Sequence, residues 1–158
     1  MKLIITDLNP SLINVEGEHL IIADNGSIRG CTGCLRCMAE EVCCIHDGYE
    51  RVAELFAKAG EVVFVCECVY GSLSPFCKAV LDRARSYLSL DADRETGLHK
   101  KKHDNSFSVS AFVYGENITE QENFTIRHLI SVCAEGCGGS VGKVIFLRER
   151  ESIRGFEL

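Results

Sequence analysis

The chain has 158 residues, about one domain on the usual ~100–200 residues per domain. With 46% apolar and 25% charged residues and only two prolines, its composition excludes a multidomain machine and a disordered segment. Seventeen Lys and Arg against 23 Asp and Glu give a net charge of −6, with no basic stripe beyond Lys100-Lys101-Lys102, which argues against a nucleic-acid partner.

No apolar run reaches the ~18–20 residues of a membrane span, so no membrane association is expected. Met1-Lys2 leads directly into Leu3-Ile4-Ile5-Thr6-Asp7 with no secretory pattern, and the expected compartment is the cytoplasm. Ten cysteines in a reducing compartment then point to metal or redox chemistry more than to a disulfide framework.

In chain order, Leu3–Thr6 and Leu20–Ala23 read as two buried strands. Residues 7–18 between them carry no apolar stripe, so the first helix is expected to be shortened to one turn or missing. A cysteine-rich loop follows over residues 25–46. Asp47 and Glu50 are spaced as a cap for a helix carrying Val52, Leu55, Phe56 and Ala59, closed by Gly60. Val62–Cys66 is the third strand. Ser74 and Pro75 open a second helix expected to end near Leu90, before a polar loop over residues 91–105. Phe107–Val113 is the fourth strand. Thr119 and Glu122 form a capping box for a third helix that buries Ile126, Leu129, Ile130 and Cys133 and stops at Gly136. Val141–Leu147 is the fifth strand, and Arg148–Leu158 reads as a solvated tail or an oligomer contact.

Alternating strands and helices predict one α/β domain over residues 1–158, a three-layer flavodoxin-like fold with a five-stranded parallel sheet of order 2-1-3-4-5. Ligands in such folds sit beyond the carboxyl ends of the strands.

Cys31, Cys34, Cys37 and Cys43 form a C-x2-C-x2-C-x5-C run within thirteen residues. Four closely spaced thiolates suit a cubane iron–sulfur cluster. A zinc site and reduced thiols packed as small hydrophobes remain the alternatives, with Cys44 and His46 as substitute ligands. Cys66, Cys68, Cys77 and Cys133 read as core residues, and Cys137 as a packed thiol near a helix end.

This order of features resembles the NAD(P)H-dependent FMN reductase family: the cysteine loop, then Val69-Tyr70-Gly71-Ser72-Leu73-Ser74 running into Lys78-Ala79-Val80-Leu81-Asp82-Arg83. Within that family the loop is most similar to that of the iron–sulfur flavoproteins, and the resemblance spans roughly residues 1–90. It implies that Tyr70, Gly71, Ser72 and Leu73 face a flavin ring, with Gly115 in a further loop near the ring and Lys78 and Asp82-Arg83 on the helix behind. It also implies a 4Fe-4S cluster on Cys31, Cys34, Cys37 and Cys43 beside FMN.

The family's phosphate loop, of the type Gly-Ser-Pro-Arg-x-x-Gly-Asn-Thr, is degenerate here. Asn9, Pro10 and Ser11 stand in its place, within Asp7-Leu8-Asn9-Pro10-Ser11-Leu12. The resemblance therefore implies electron transfer through FMN and a 4Fe-4S cluster, with NAD(P)H or a redox protein as partner and a homo-oligomeric assembly. The alternative is a member without FMN that acts as a cluster-binding, metal-binding or partner-binding module, and a third reading is thiol redox chemistry with no cofactor.

Overall fold

The computed structural model describes residues 1–158. Its elements are β1 (Lys2–Thr6), β2 (His19–Ala23), α1 (Arg36–Glu40), α2 (Val52–Lys58), β3 (Glu61–Glu67), α3 (Pro75–Arg83), β4 (Leu88–Ala92), β5 (His99–Lys101), β6 (Ser108–Tyr114), α4 (Glu120–Gly136) and β7 (Ser140–Leu147). Five strands pair in parallel in the order β2-β1-β3-β6-β7, which is the expected 2-1-3-4-5 topology. The reason lies in the apolar runs of β1, β3 and β6, which are buried on both faces, as a sheet covered on two sides demands.

The two faces differ in their cover. Leu3, Ile5, Val62, Phe64, Val109 and Ala111 pack in one cluster with α2, α3 and α4 residues such as Phe56, Val80 and Ile130. On the other face Ile4, Val63, Val65 and Phe112 meet no long helix. They are covered by a one-turn 3-10 segment at Pro10–Leu12 and by the C-terminal segment, whose Ile153 and Leu158 are buried. The expected short first helix is thus that single turn. Arg148–Leu158 is not a solvated tail: Leu158 N–H donates to the Asn14 carbonyl at 2.9 Å, and its apolar residues close the core.

Three further expectations need correction. The helix opened by Pro75 ends at Arg83, continues as a 3-10 turn over Ala84–Tyr87, and gives way to β4 instead of reaching Leu90. The polar stretch 91–105 is not a plain loop, because β4 and β5 pair there as an antiparallel hairpin. Asp47 does not cap α2, whose N-cap is Arg51 with no side-chain bond. The capping box of α4 forms as expected, with Glu122 N–H donating to Thr119 Oγ1 at 3.2 Å and Thr119 N–H donating to Glu122 Oε2 at 2.9 Å. Leu129 and Cys133 on that helix are only half-buried. No helix is long and apolar enough to cross a membrane.

Candidate functional site

Strand order reverses between β1 and β3, so the crevice at their carboxyl ends is where this topology places a ligand. Two features flank it. One is the tight turn after β3, and the other is the cysteine loop after β2.

The turn is closed at both ends by hydrogen bonds, Val69 N–H to the Ser72 carbonyl at 3.1 Å and Ser72 N–H to the Val69 carbonyl at 3.0 Å. Its central residues, Tyr70 (φ 50°) and Gly71 (φ 74°), are both left-handed, the signature of a type I′ turn. Gly71 is required for a second reason: a Cβ there would lie 3.3 Å from the Glu122 Cα at the start of α4. Leu73 is buried and anchors the turn, whereas Tyr70 is 97% exposed. Cys68 N–H donates to the Tyr114 carbonyl at 2.8 Å, and a Cβ on Gly115 would lie 3.6 Å from the Cys68 Cβ. The structure therefore brings together Tyr70, Gly71, Ser72, Leu73 and Gly115 at one edge, with the Tyr70 ring presented to solvent.

Asn9, Pro10 and Ser11 form no anion cradle. Leu8 N–H donates to Thr6 Oγ1, Ser11 N–H to Asn9 Oδ1, Leu12 N–H to the Asn9 carbonyl and Ile13 N–H to the Pro10 carbonyl. Pro10 has no N–H to give. In the crevice itself sits a carboxylate, because Asp7 Oδ2 accepts the Glu67 N–H and Asp7 Oδ1 accepts the Tyr114 hydroxyl, each at 3.0 Å. Burial and then the Asp7 charge push the Tyr114 hydroxyl well above its ordinary range, so it stays a donor. Glu67 adds a second acid. The β1 loop offers a phosphate no free amides at a helix N-terminus, and the Asp7 carboxylate stands beside it.

The cysteine loop is gripped from α3. Arg83 is fully buried, and its guanidinium donates to the Arg29 carbonyl (3.0 Å), the Ile45 carbonyl (3.1 Å) and both oxygens of Asp47 (2.9 and 3.0 Å). Arg29 N–H also donates to Asp47, at 2.8 Å. One cation thus ties together both ends of the loop. Burial alone would raise the Asp47 pKa, but the bonds from Arg83, Arg29 and Tyr49 outweigh it and hold the carboxyl at about 2. Arg83 is therefore a buried cation of the loop's anchor and no surface group of α3. Lys78 pairs with Asp82 at the helix surface.

Within the loop, Cys37 and Cys43 are buried in a small cluster with Met38, while Cys31 and Cys34 are exposed. Burial raises the Cys37 pKa first, and then the charges of Cys43, Cys31 and Cys34 add to it. No three metal-ligating side chains converge on a common point. The donor set is nevertheless one of thiols, and on the helix that grips the loop Arg83 Nε is buried without a hydrogen-bond partner.

Sequence reasoning missed two contributors, Asp7 and Tyr114, and named two others, Arg83 and Cys44, only as part of a resembling stretch and as a substitute ligand. Asp7 and Tyr114 carry no motif, and Arg83 gave a signal only through its position in the Lys78–Arg83 stretch. Cys44 stood just outside the four-cysteine run, and its sulfur lies 3.7 Å from that of Cys34. Backbone N–H of Arg36, the Cys44 thiol and the Thr32 hydroxyl hold Cys34 below the ordinary thiol range, and sharing that bond raises Cys44. Cys66 and Cys77 are core residues as expected, Cys68 is half-buried, and Cys133 and Cys137 are half-buried on the wall of a cleft of about 690 Å³ that opens beside Cys31 between α3 and α4.

No protein-family model matches the sequence, and no curated protein is similar to it in sequence. Solved structures are similar in fold. General stress protein 14 of Treponema denticola, in complex with FMN, superposes with a TM-score of 0.54 at 13% identity over 98% of this chain and 88% of its own. An azoreductase from Bacillus anthracis strain Sterne gives 0.57 at 9% identity, over 92% of this chain and 86% of its own. An FMN-dependent NADH-azoreductase from the Ames Ancestor strain of the same species, also with FMN, gives 0.54 at 11% over 92% and 85%. At these identities the likeness establishes the architecture alone, and the chain has a flavodoxin-like fold.

Proposed function

We propose that the chain is a flavodoxin-like redox protein of the FMN reductase and iron–sulfur flavoprotein type, working through its cysteine loop. Cys31, Cys34, Cys37 and Cys43 would hold a 4Fe-4S cluster, and Tyr70, Gly71, Ser72, Leu73 and Gly115 would meet a flavin ring. The observation that carries the reading is the buried Arg83, which fixes both ends of the loop and keeps a buried Nε–H without a partner on the loop's side of the helical layer. A fully buried guanidinium is costly unless paired, and here its pairing does nothing except hold this loop. Two similar folds were solved with FMN, which supports the flavin half.

A cluster supplies one-electron steps and a flavin exchanges one or two electrons, while the chain supplies position and electrostatics. Arg83 would stabilise thiolate charge at Cys43. Tyr70 would offer a stacking surface. NAD(P)H or a redox protein is the expected partner, and the protein is expected to act in the cytoplasm as a homo-oligomer. A module that has lost FMN and retains only the cluster or another metal is the second reading, favoured by the Asp7 carboxylate in the crevice.

Anaerobic purification followed by quantification of iron, acid-labile sulfide and FMN on one sample tests the proposal. About four irons per chain, abolished by Cys34→Ser with the fold retained, is the expected result. Full iron in Cys34→Ser, or an iron-free anaerobic protein that reconstitution fails to load, would sink the cluster. Iron without flavin would leave the second reading.

A further inference from the structure

We propose that Cys34 and Cys44 form an exchangeable disulfide, a site of oxidation by small-molecule disulfides that takes Cys34 out of the ligand set. The inference rests on the proposed ligand set only for its consequence, since the pair itself is given by geometry. The two sulfurs are 3.7 Å apart, at van der Waals contact, and bonding at ~2.05 Å needs them to close by about 1.7 Å. Cys34 is exposed and Cys44 half-buried, so the first is open to attack by or on a solvent-borne disulfide and the second lies behind it. Neither residue belongs to a helix or strand, which leaves both backbones free of a ladder that would resist the closure.

The rest of the loop selects this pair. Cys37 sits in α1 and is buried with Cys43 against Met38. Cys31 is exposed, but its sulfur is engaged by the Gly33 N–H at 3.4 Å and not by another thiol. Cys44 is also outside the C-x2-C-x2-C-x5-C run, so four ligands remain complete without it. Its position beside Cys34 then has a use that cluster binding does not provide.

The chemistry balances with a low-molecular-weight disulfide as oxidant. The Cys34 thiolate attacks one sulfur of the disulfide, its S–S bond breaks, one thiolate leaves, and a mixed disulfide forms on Cys34. Cys44, losing its proton to solvent, attacks the Cys34 sulfur and expels the second thiolate. The Cys34–Cys44 bond forms, the protein dithiol is oxidised by two electrons, and the small disulfide is reduced by two. A reducing thiol pool reverses both steps. In the closed form Cys34 has no thiolate to offer, so the loop cannot load a four-thiolate cluster.

The test treats iron-free protein with oxidised glutathione, maps linkages by peptide mass spectrometry, and in parallel measures iron uptake under reducing and oxidised conditions. The expected result is a dominant Cys34–Cys44 link, loss of at least ten-fold in iron uptake, and full recovery on adding a dithiol reductant. Cys44→Ser is expected to trap a glutathione adduct on Cys34 and, once reduced, to bind wild-type iron. Cys43→Ser is expected to lose iron and keep the link. A link from Cys34 to any other cysteine, no link at all, or an unmodified Cys34 in Cys44→Ser would overturn the proposal. If the wild-type chain takes up no iron under any condition but forms the link, the cluster reading fails and the disulfide stands.

Discussion

Arg83 and Asp47 form a bidentate ion pair, at 2.9 and 3.0 Å, between α3 and the end of the cysteine loop, with the arginine side chain fully buried and the aspartate side chain 4% exposed. The pair spans 36 residues of chain and is the point at which the loop joins the helical layer. Both remaining guanidinium bonds go to backbone carbonyls of the same loop, at Arg29 and Ile45.

Removing the cation should therefore do more than delete a contact. Arg83→Met leaves Asp47 buried without its counter-charge and two carbonyls without donors, a change expected to cost about 3–5 kcal/mol in urea unfolding. Arg83→Met combined with Asp47→Leu should cost clearly less than the sum of the two single changes, because no charge is then stranded. Additive losses would mean that the two side chains are not coupled.

The same pair sets an acid limit. Asp47 is held at about 2, below the ordinary ~3.9 of an unfolded aspartate, so its contribution is complete above the unfolded value and is lost as pH falls from about 4 through 2. The urea midpoint should drop over that window in the wild-type chain, and Asp47→Asn should flatten this part of the profile while lowering the plateau. An unchanged slope in Asp47→Asn would place the acid sensitivity elsewhere.

The sheet was legible in the sequence because β1, β3 and β6 are short apolar runs separated by helices, and burial on both faces leaves no alternation to misread. The capping box at Thr119 and Glu122 was legible because it is a local pattern. What was not legible depended on distant partners. Asp47 looks like a cap from spacing alone, and only the fold brings Arg83 against it. The 88–101 segment carries no turn signal strong enough to separate a hairpin from a helix end and a loop. The C-terminal segment has few apolar residues, yet a face without long helices lets Ile153 and Leu158 complete the core. The four-cysteine run was plain, whereas the closeness of Cys44 to Cys34 arises from the way the loop folds back.

Tyr70 is expected to behave as a residue kept for function at a cost in stability. It holds φ 50° with 97% of its surface exposed, so its side chain gains little packing for a conformation that costs a non-glycine residue about 1–2 kcal/mol. Tyr70→Gly removes that strain at an entropic cost of about 0.5–1 kcal/mol. Thermal unfolding should shift upward by about 2 °C, with flavin affinity falling in the same variant. A lower melting temperature would mean that the ring packs against the protein.

Asp7 gives the sharpest prediction for the flavin. A phosphate dianion in the β1–β3 crevice would meet the Asp7 carboxylate, the nearby Glu67 and a loop whose amides at Leu8, Ser11, Leu12 and Ile13 are already bonded. Ring contacts at Tyr70 and Gly115 would be unaffected by the phosphate. FMN and riboflavin should therefore bind the wild-type chain within about three-fold of each other, a difference of ~0.7 kcal/mol or less. Asp7→Asn removes the charge, keeps one acceptor oxygen for the Glu67 N–H and turns its amide NH2 as a donor toward the Tyr114 hydroxyl oxygen, and it should tighten FMN relative to riboflavin. Titration of both flavins against both proteins, followed by flavin fluorescence, reads the two ratios directly. A wild-type preference for FMN of ten-fold or more would show that the phosphate is recognised, and the Asp7 carboxylate would then have to be accommodated by cations outside the β1 loop.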